Sequence, residues 1–375
     1  MAGIYIHIPF CKQACHYCDF HFSTQLKKKK PFLDALHLEM QLRSDALGNT
    51  PVETLYFGGG TPSLLASEEI ARLIAQAKAT FTFIEDPEIT LEVNPDDVTQ
   101  KKAGEWAEIG VNRLSMGVQS FFEEDLQFMN RAHNAEEAQK ALEWASTHFD
   151  NISLDLIYGF PMLTDKKWMK NLEIALSYKI RHISAYALTV EPRTALNTFI
   201  KKGKVAPPDE AQAEAHFKIL TQTLEAAGYV HYETSNFGMP GYFSRNNTAY
   251  WIGKSYLGLG PSAHSFFGDK RAWNIANNSR YIKSIEQGIV PVEFEDLSKQ
   301  DRYNEYVMTG LRTIWGVSPL EIEKRFGEPY KQYFLSKAAA YLDKGELIKN
   351  NDVVIASSSG KFLVDGIAAD LFRVD

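Results

Sequence analysis

The sequence predicts an α/β fold, a barrel or open barrel of six strand–helix units followed by a small winged-helix-like module. Three observations predict it. Between residue 4 and about residue 190, short apolar runs alternate with longer amphipathic stretches, the pattern of parallel strands joined by helices. Beyond about residue 290 that alternation gives way to successive helical patterns and a hairpin. The chain's 375 residues, 45% hydrophobic, exceed what one core of roughly 250 residues takes in, so a large unit at 1–290 and a smaller one at 291–375 are expected.

The strands are read at IYIHI (4–8), VETLYF (52–57), EITLEV (88–93), NRLSMGV (112–118), ISLDLIY (152–158) and HISAYALTV (182–190). Helices fall between them. In residues 67–79, Ser67 followed by Glu69 reads as a capped start, and Ile70, Leu73, Ile74 and Ala77 share one face. The lysine run at 27–30 reads as a solvated loop ahead of the first helix. KKGKVAPPDE (201–210) is a polar loop, and the helix after it stops at Gly228. The glycine- and aromatic-rich stretch 229–270 reads as an irregular closing segment or lid. Helices at about 299–313, 318–326 and 331–343, then a hairpin and a last helix, make the winged-helix-like module.

Charge and composition exclude several classes. A net charge of -7 argues against nucleic acid as a partner, because phosphate affinity comes mainly from lysine and arginine. The segment MAGIYIHIPF lacks the cationic region of a secretory signal, and no eighteen consecutive apolar residues occur. A cytoplasmic location without a transmembrane segment is expected. All three cysteines lie within eight positions, an odd and local set that suits a reducing compartment better than a disulfide framework.

Those cysteines, Cys11, Cys15 and Cys18 in HIPFCKQACHYCDF, are the strongest chemical signal. Three thiolates can hold zinc with His16 or His21 as fourth ligand, yet no second C-x2-C pair accompanies them. A 4Fe-4S cube usually takes four cysteines, so three would leave one iron open to a small molecule. The C-x3-C-x2-C spacing resembles that of the radical S-adenosylmethionine (SAM) superfamily, in which the methionine part of SAM chelates the open iron.

Polar residues recur near the C-terminal ends of the buried strands. Tyr5 and His7 share the strand face that leads into the cysteine loop, since side chains alternate along a strand. Gly58, Gly59 and Gly60 follow the second strand and leave backbone open to close approach. Glu92, Gln119 and Asp155 stand in the third, fourth and fifth strands, and Arg131 follows the fourth. In barrels of this kind active sites are assembled on that rim.

Taken together, HIPFCKQACHYCDF, YFGGGTP, LEVNP, RLSMGVQS, NRAH, SLDLIYGFP and GLGPSAHS resemble the oxygen-independent coproporphyrinogen oxidase family over about residues 3–267. The resemblance implies a partial (β/α)6 barrel with SAM at its C-terminal rim. Cluster ligands would be Cys11, Cys15 and Cys18, and cofactor contacts Tyr5, Tyr17, Gly59, Gly60, Thr61, Glu92, Gln119, Arg131 and Asp155. No side chain is assigned a catalytic role.

That family has an oxidase branch and a branch of HemW-like haem chaperones. The oxidase carries a fourth cysteine where this chain has Phe20, and an extension before the cluster strand, on which this chain starts almost at once. Both differences favour the chaperone branch, with haem or porphyrin, an acceptor protein and an electron donor as partners. One difference runs the other way: the chaperones' His-Asn-x-x-Tyr-Trp haem motif matches Asn246-Asn247-Thr248-Ala249-Tyr250-Trp251, and asparagine is not a usual axial ligand of haem iron. His264 and Tyr250 are the remaining candidates nearby.

Overall fold

The computed structural model describes residues 1–374 and builds the first half of the chain as repeated strand–helix units. In order these are β1 (Ala2–Ile8), α1 (Lys29–Leu42), β2 (Val52–Gly59), α2 (Ser67–Thr80), β3 (Phe83–Val93), α3 (Gln100–Glu108), β4 (Arg113–Gln119), α4 (Glu123–Met129), α5 (Ala135–Ser146), β5 (Ile152–Tyr158), α6 (Asp165–Ser177) and β6 (His182–Ala187). Successive strands pair in parallel from β1 to β6. Their apolar side chains are buried on the side covered by the helices, where Trp106 and Trp168 have no exposed surface. The last of these strands ends at Ala187, short of the expected residue 190: its partner β5 ends at Tyr158, and the bond from Leu188 N–H to the Tyr158 carbonyl at 2.8 Å closes the ladder between them.

Two local expectations change. The lysine run is not a loop: it enters α1, and Lys29 and Lys30 pair with Glu69 and Asp34 at 2.9 Å each. Ser67 is the first residue of α2 rather than its cap. Glu69 reaches back to the Ala66 N–H at 2.8 Å, and the Ser67 hydroxyl instead donates to Glu105 at 2.6 Å.

After α7 (Ala195–Lys201) and α8 (Glu210–Ala226), the stretch expected to be an irregular lid is mostly regular. It contains β7 (Val230–Glu233), β8 (Asn236–Gly238), α9 (Arg245–Trp251), β9 (Tyr256–Leu259), β10 (His264–Phe266) and β11 (Lys270–Asn274), followed by α10 (Asn278–Glu286) and β12 (Val292–Asp296). These strands extend both ends of one twelve-stranded sheet ordered β12-β11-β10-β9-β1-β2-β3-β4-β5-β6-β8-β7. They are too short for a period of two to register in sequence, and their partners are remote. Glu39 of α1, fully buried, fastens this added sheet: its carboxylate accepts from Gly260 N–H, Asn274 Nδ2 and the Tyr281 hydroxyl, each at 2.7 Å.

The C-terminal elements α11 (Lys299–Leu311), α12 (Pro319–Phe326), α13 (Glu328–Asp343), β13 (Leu347–Asn350), β14 (Val353–Ala356) and α14 (Val364–Asp370) enclose a second apolar cluster around Tyr303, Phe326 and Phe334. A bridge between Val317 and Val354 completes the winged-helix-like arrangement. Among the described residues, no helix is long and apolar enough to cross a membrane.

Candidate functional site

A cavity of about 520 Å³ opens where the parallel strands end. Its wall includes Cys11, Cys15, Tyr17, Cys18, Gly59, Gly60, Thr61, Glu92, Gln119, Arg131 and Asp155, so eleven of the twelve residues nominated from sequence meet in one place. Tyr5 does not reach it. Its ring stacks on Tyr56 deeper in the lumen, at 5.9 Å between centroids.

The cysteine loop leaves β1 at Ile8 and is held by residues far along the chain. His16 N–H donates to the Met129 carbonyl at 3.1 Å, Asn130 Nδ2 to the Ala14 carbonyl at 2.7 Å, and Leu196 N–H to the His16 carbonyl at 2.8 Å. Lys12 pairs with Asp96 at 2.6 Å and also with Asp97. At the loop's far end, His7 Nε2 faces the His21 carbonyl at 2.8 Å and must therefore carry the proton, which leaves Nδ1 to accept from the Tyr5 hydroxyl at 3.2 Å. Burial pushes the His7 pKa down to about 4, consistent with that neutral ring.

Arg131 is the electrostatic centre of the cavity. One guanidinium nitrogen lies 3.3 Å from Cys15 Sγ, and the other donates to Asn94 Oδ1 at 2.8 Å and the Gly117 carbonyl at 2.7 Å. Its Nε is buried without a hydrogen-bond partner among the described residues, a donor left over for an acceptor such as a carboxylate. Burial raises the Cys18 thiol to about 11 and raises Cys11 as well, so deprotonation there needs a compensating cation. Across the lumen are two half-buried acids: desolvation pushes Glu92 up to about 7, and desolvation together with Glu92 pushes Asp155 up to about 7. Glu92 accepts from the Tyr56 hydroxyl at 2.8 Å and from Gly59 N–H at 3.1 Å, while Ser115 donates to Asp155 at 3.3 Å.

The glycine turn serves packing more than ligand access. A Cβ on Gly59, whose φ is +107°, would stand 2.5 Å from the His7 ring, and one on Gly60 would stand 2.6 Å from the Phe10 carbonyl. Gly60 N–H and Thr61 N–H then donate to the Ile8 and Phe10 carbonyls at 2.9 and 2.7 Å, clamping the start of the cysteine loop. Gln119 closes β4 with φ +70°, an uncommon conformation for a side-chain-bearing residue, and it too faces the cavity.

The donor set fits the cofactors expected here. The three thiols are free and line one cavity. The two acids, which a cation beside them would ionise, and the spare Arg131 donor suit a ligand with both cationic and carboxylate groups. Sequence reading missed Asn94 and Ser115, which hold Arg131 and Asp155; Asn94 was visible in LEVNP, whereas a serine in a strand carries no such signal.

The proposed haem motif lies elsewhere. Asn246 is 3% exposed, beside Gly3 and Thr54 at the opposite end of the strands, and its side-chain oxygen accepts from the Thr54 hydroxyl at 3.2 Å. Tyr250 packs edge-on against Tyr256 at 4.5 Å. Neither lines the cavity.

Comparison with known proteins agrees with this geometry. Residues 5–175 match the Radical SAM superfamily and residues 297–363 the HemN C-terminal domain. The chain is 34% identical to "Heme chaperone HemW" of Bacillus subtilis (strain 168) over 368 residues, covering 97% of each. It is 34% identical to the protein of the same name from Escherichia coli (strain K12), covering 93% of this chain and 96% of that one. The solved structure of coproporphyrinogen III oxidase (HemN) from Escherichia coli, a radical SAM enzyme, overlays with a TM-score of 0.85 over 99% of this chain and 90% of that one, at 25% identity. Similar in sequence to those chaperones from end to end, and built on the radical SAM barrel with its HemN-type C-terminal domain, the chain belongs to the HemW family.

Proposed function

We propose that this protein is a haem chaperone that carries one 4Fe-4S cluster and SAM and passes haem to an acceptor protein in a reducing, cytoplasmic setting. The observation that carries this reading is the end-to-end similarity to HemW proteins, at 34% identity against 25% for the oxidase structure. Phe20 supports it, being exposed where the oxidase resemblance calls for a cysteine. Cys11, Cys15 and Cys18 would hold the cluster. When bound, cluster and SAM supply one-electron chemistry at the open iron. The chain's own residues then orient and neutralise: Arg131 Nε meets a carboxylate, Glu92 and Asp155 meet positive charge, and Thr61 and Gln119 line the wall between them.

Titration of anaerobically reconstituted protein with ferric haem, followed by difference absorbance, tests the reading. A saturable change in the Soret band is expected; its absence from wild type rejects the chaperone. The overlay with HemN favours one alternative, oxidative decarboxylation of a coproporphyrinogen propionate. Vinyl product formed with SAM and a reductant would establish that reading instead.

A further inference from the structure

Haem binding by this chain, the reading proposed above, needs a ligand for the iron, and the residue at the motif position is buried and hydrogen-bonded. Of the ten histidines, all but His148 and His264 have a ring nitrogen in a hydrogen bond. Both exceptions are exposed. His148 lies against Gly104, with no aromatic ring stacked on it among the described residues. His264 is placed differently.

It stands on β10 with its ring 6.2 Å from that of Trp273, its directly paired neighbour on β11. Phe266, two residues on and therefore on the same face, pairs with Tyr256 of β9, ring to ring at 6.2 Å, and with Arg271 of β11. Tyr256 in turn sits opposite Gly3 of β1, on the face that carries Tyr5 and His7. The face of the sheet that carries Tyr5 and His7 thus continues past β1 as an aromatic wall of Trp273, Phe266 and Tyr256, with an imidazole that makes no hydrogen bond among the described residues at one end and the half-exposed Arg271 guanidinium at the other. Arg271 shares its charge with Glu305 at 2.9 Å, and Glu293 accepts from the Trp273 indole at 3.2 Å. Partial burial, then Arg271, hold the His264 pKa below that of a free imidazole, so a lone pair is available at neutral pH.

We propose that His264 is the axial ligand of haem iron, with the macrocycle lying across Trp273 and Phe266 and a propionate reaching Arg271. The three groups match the three chemical parts of haem: a nitrogen for iron, apolar surface for the ring, and a guanidinium for carboxylate. The inference rests on the chaperone reading and names the site that reading lacks.

The test uses cluster-loaded, full-length wild type, His264→Ala and His148→Ala, each titrated with ferric haem. His264→Ala is expected to bind at least about tenfold more weakly and with a displaced Soret maximum, both restored by free imidazole, while His148→Ala follows wild type. Retention of the cluster absorption in His264→Ala shows that the fold survives. Unchanged affinity and spectrum in His264→Ala would overturn the ligand and leave the chaperone standing. Absence of binding by wild type would overturn both.

Discussion

Glu92 and Asp155 each titrate near 7 in the folded protein because burial, and for Asp155 also the charge on Glu92, disfavours ionisation. Their ordinary values are 4.5 and 3.8. Between those values and about 7 the native state therefore retains protons that the unfolded chain has lost, so the pair's contribution is complete at low pH and disappears as pH rises through about 7. Thermal unfolding of the cofactor-free protein is expected to move to lower temperature from about pH 5 to about pH 7.5, and Glu92→Gln to flatten that slope. The same pair predicts that a positively charged ligand displaces protons. Calorimetry of SAM binding in buffers of different ionisation enthalpy should show about one proton released near pH 6.5, and no buffer dependence would mean that the acids are already ionised.

Among the elements, the turn after β2 shows how tightly a local conformation is tied to a remote one. Gly59 combines φ +107° with a His7 ring 2.5 Å from any added Cβ. Gly59→Ala is expected to cost about 2 kcal/mol or more in urea unfolding, from backbone strain and displacement of His7 together. A cost under about 0.5 kcal/mol would show that His7 gives way freely. This turn was legible in YFGGGTP as a functional feature, although its reason, room for His7 and for the Phe10 carbonyl, was not. The six strands and the cysteine loop were legible because long alternating patterns and a rare residue type identify themselves. The end of the sixth strand, the start of α2 and the helical lysines were misread, since each depends on which distant group takes a backbone hydrogen bond or charge. The segment holding β7 to β11 hid its strands for a related reason: they run three to five residues each, and their pairing is decided by the sheet they join.

On the scale of the whole molecule, Arg312 ties the C-terminal elements to the sheet's far end. Its guanidinium pairs with Glu233, whose side chain is 1% exposed, at 3.0 Å, also with Asp365, and lies 5.0 Å from the Trp251 ring centroid. Backbone bonds reinforce the joint, from Thr234 N–H to the Arg312 carbonyl and from Ile314 N–H to the Tyr232 carbonyl, both 3.0 Å. Arg312→Ala strands a buried carboxylate and is expected to cost about 3 kcal/mol, with faster hydrogen exchange concentrated in residues 299–370. Uniform exchange in wild type and variant would mean that the backbone contacts alone hold the joint.

The long-range tethers of the cysteine loop also set an order of events in the life of the polypeptide. Cys11, Cys15 and Cys18 are synthesised well before the residues that shape their loop: Asn130, Arg131 and Leu196 follow more than a hundred residues later, and Asn278, which holds His21, later still. Even β1 is flanked by β9, made some 250 residues after it. A ribosome-bound fragment that stops short of Asn130 thus exposes three thiols with nothing to arrange them, and delivery of iron and sulfide to them would wait until the segment through Asn278 has been released and folded.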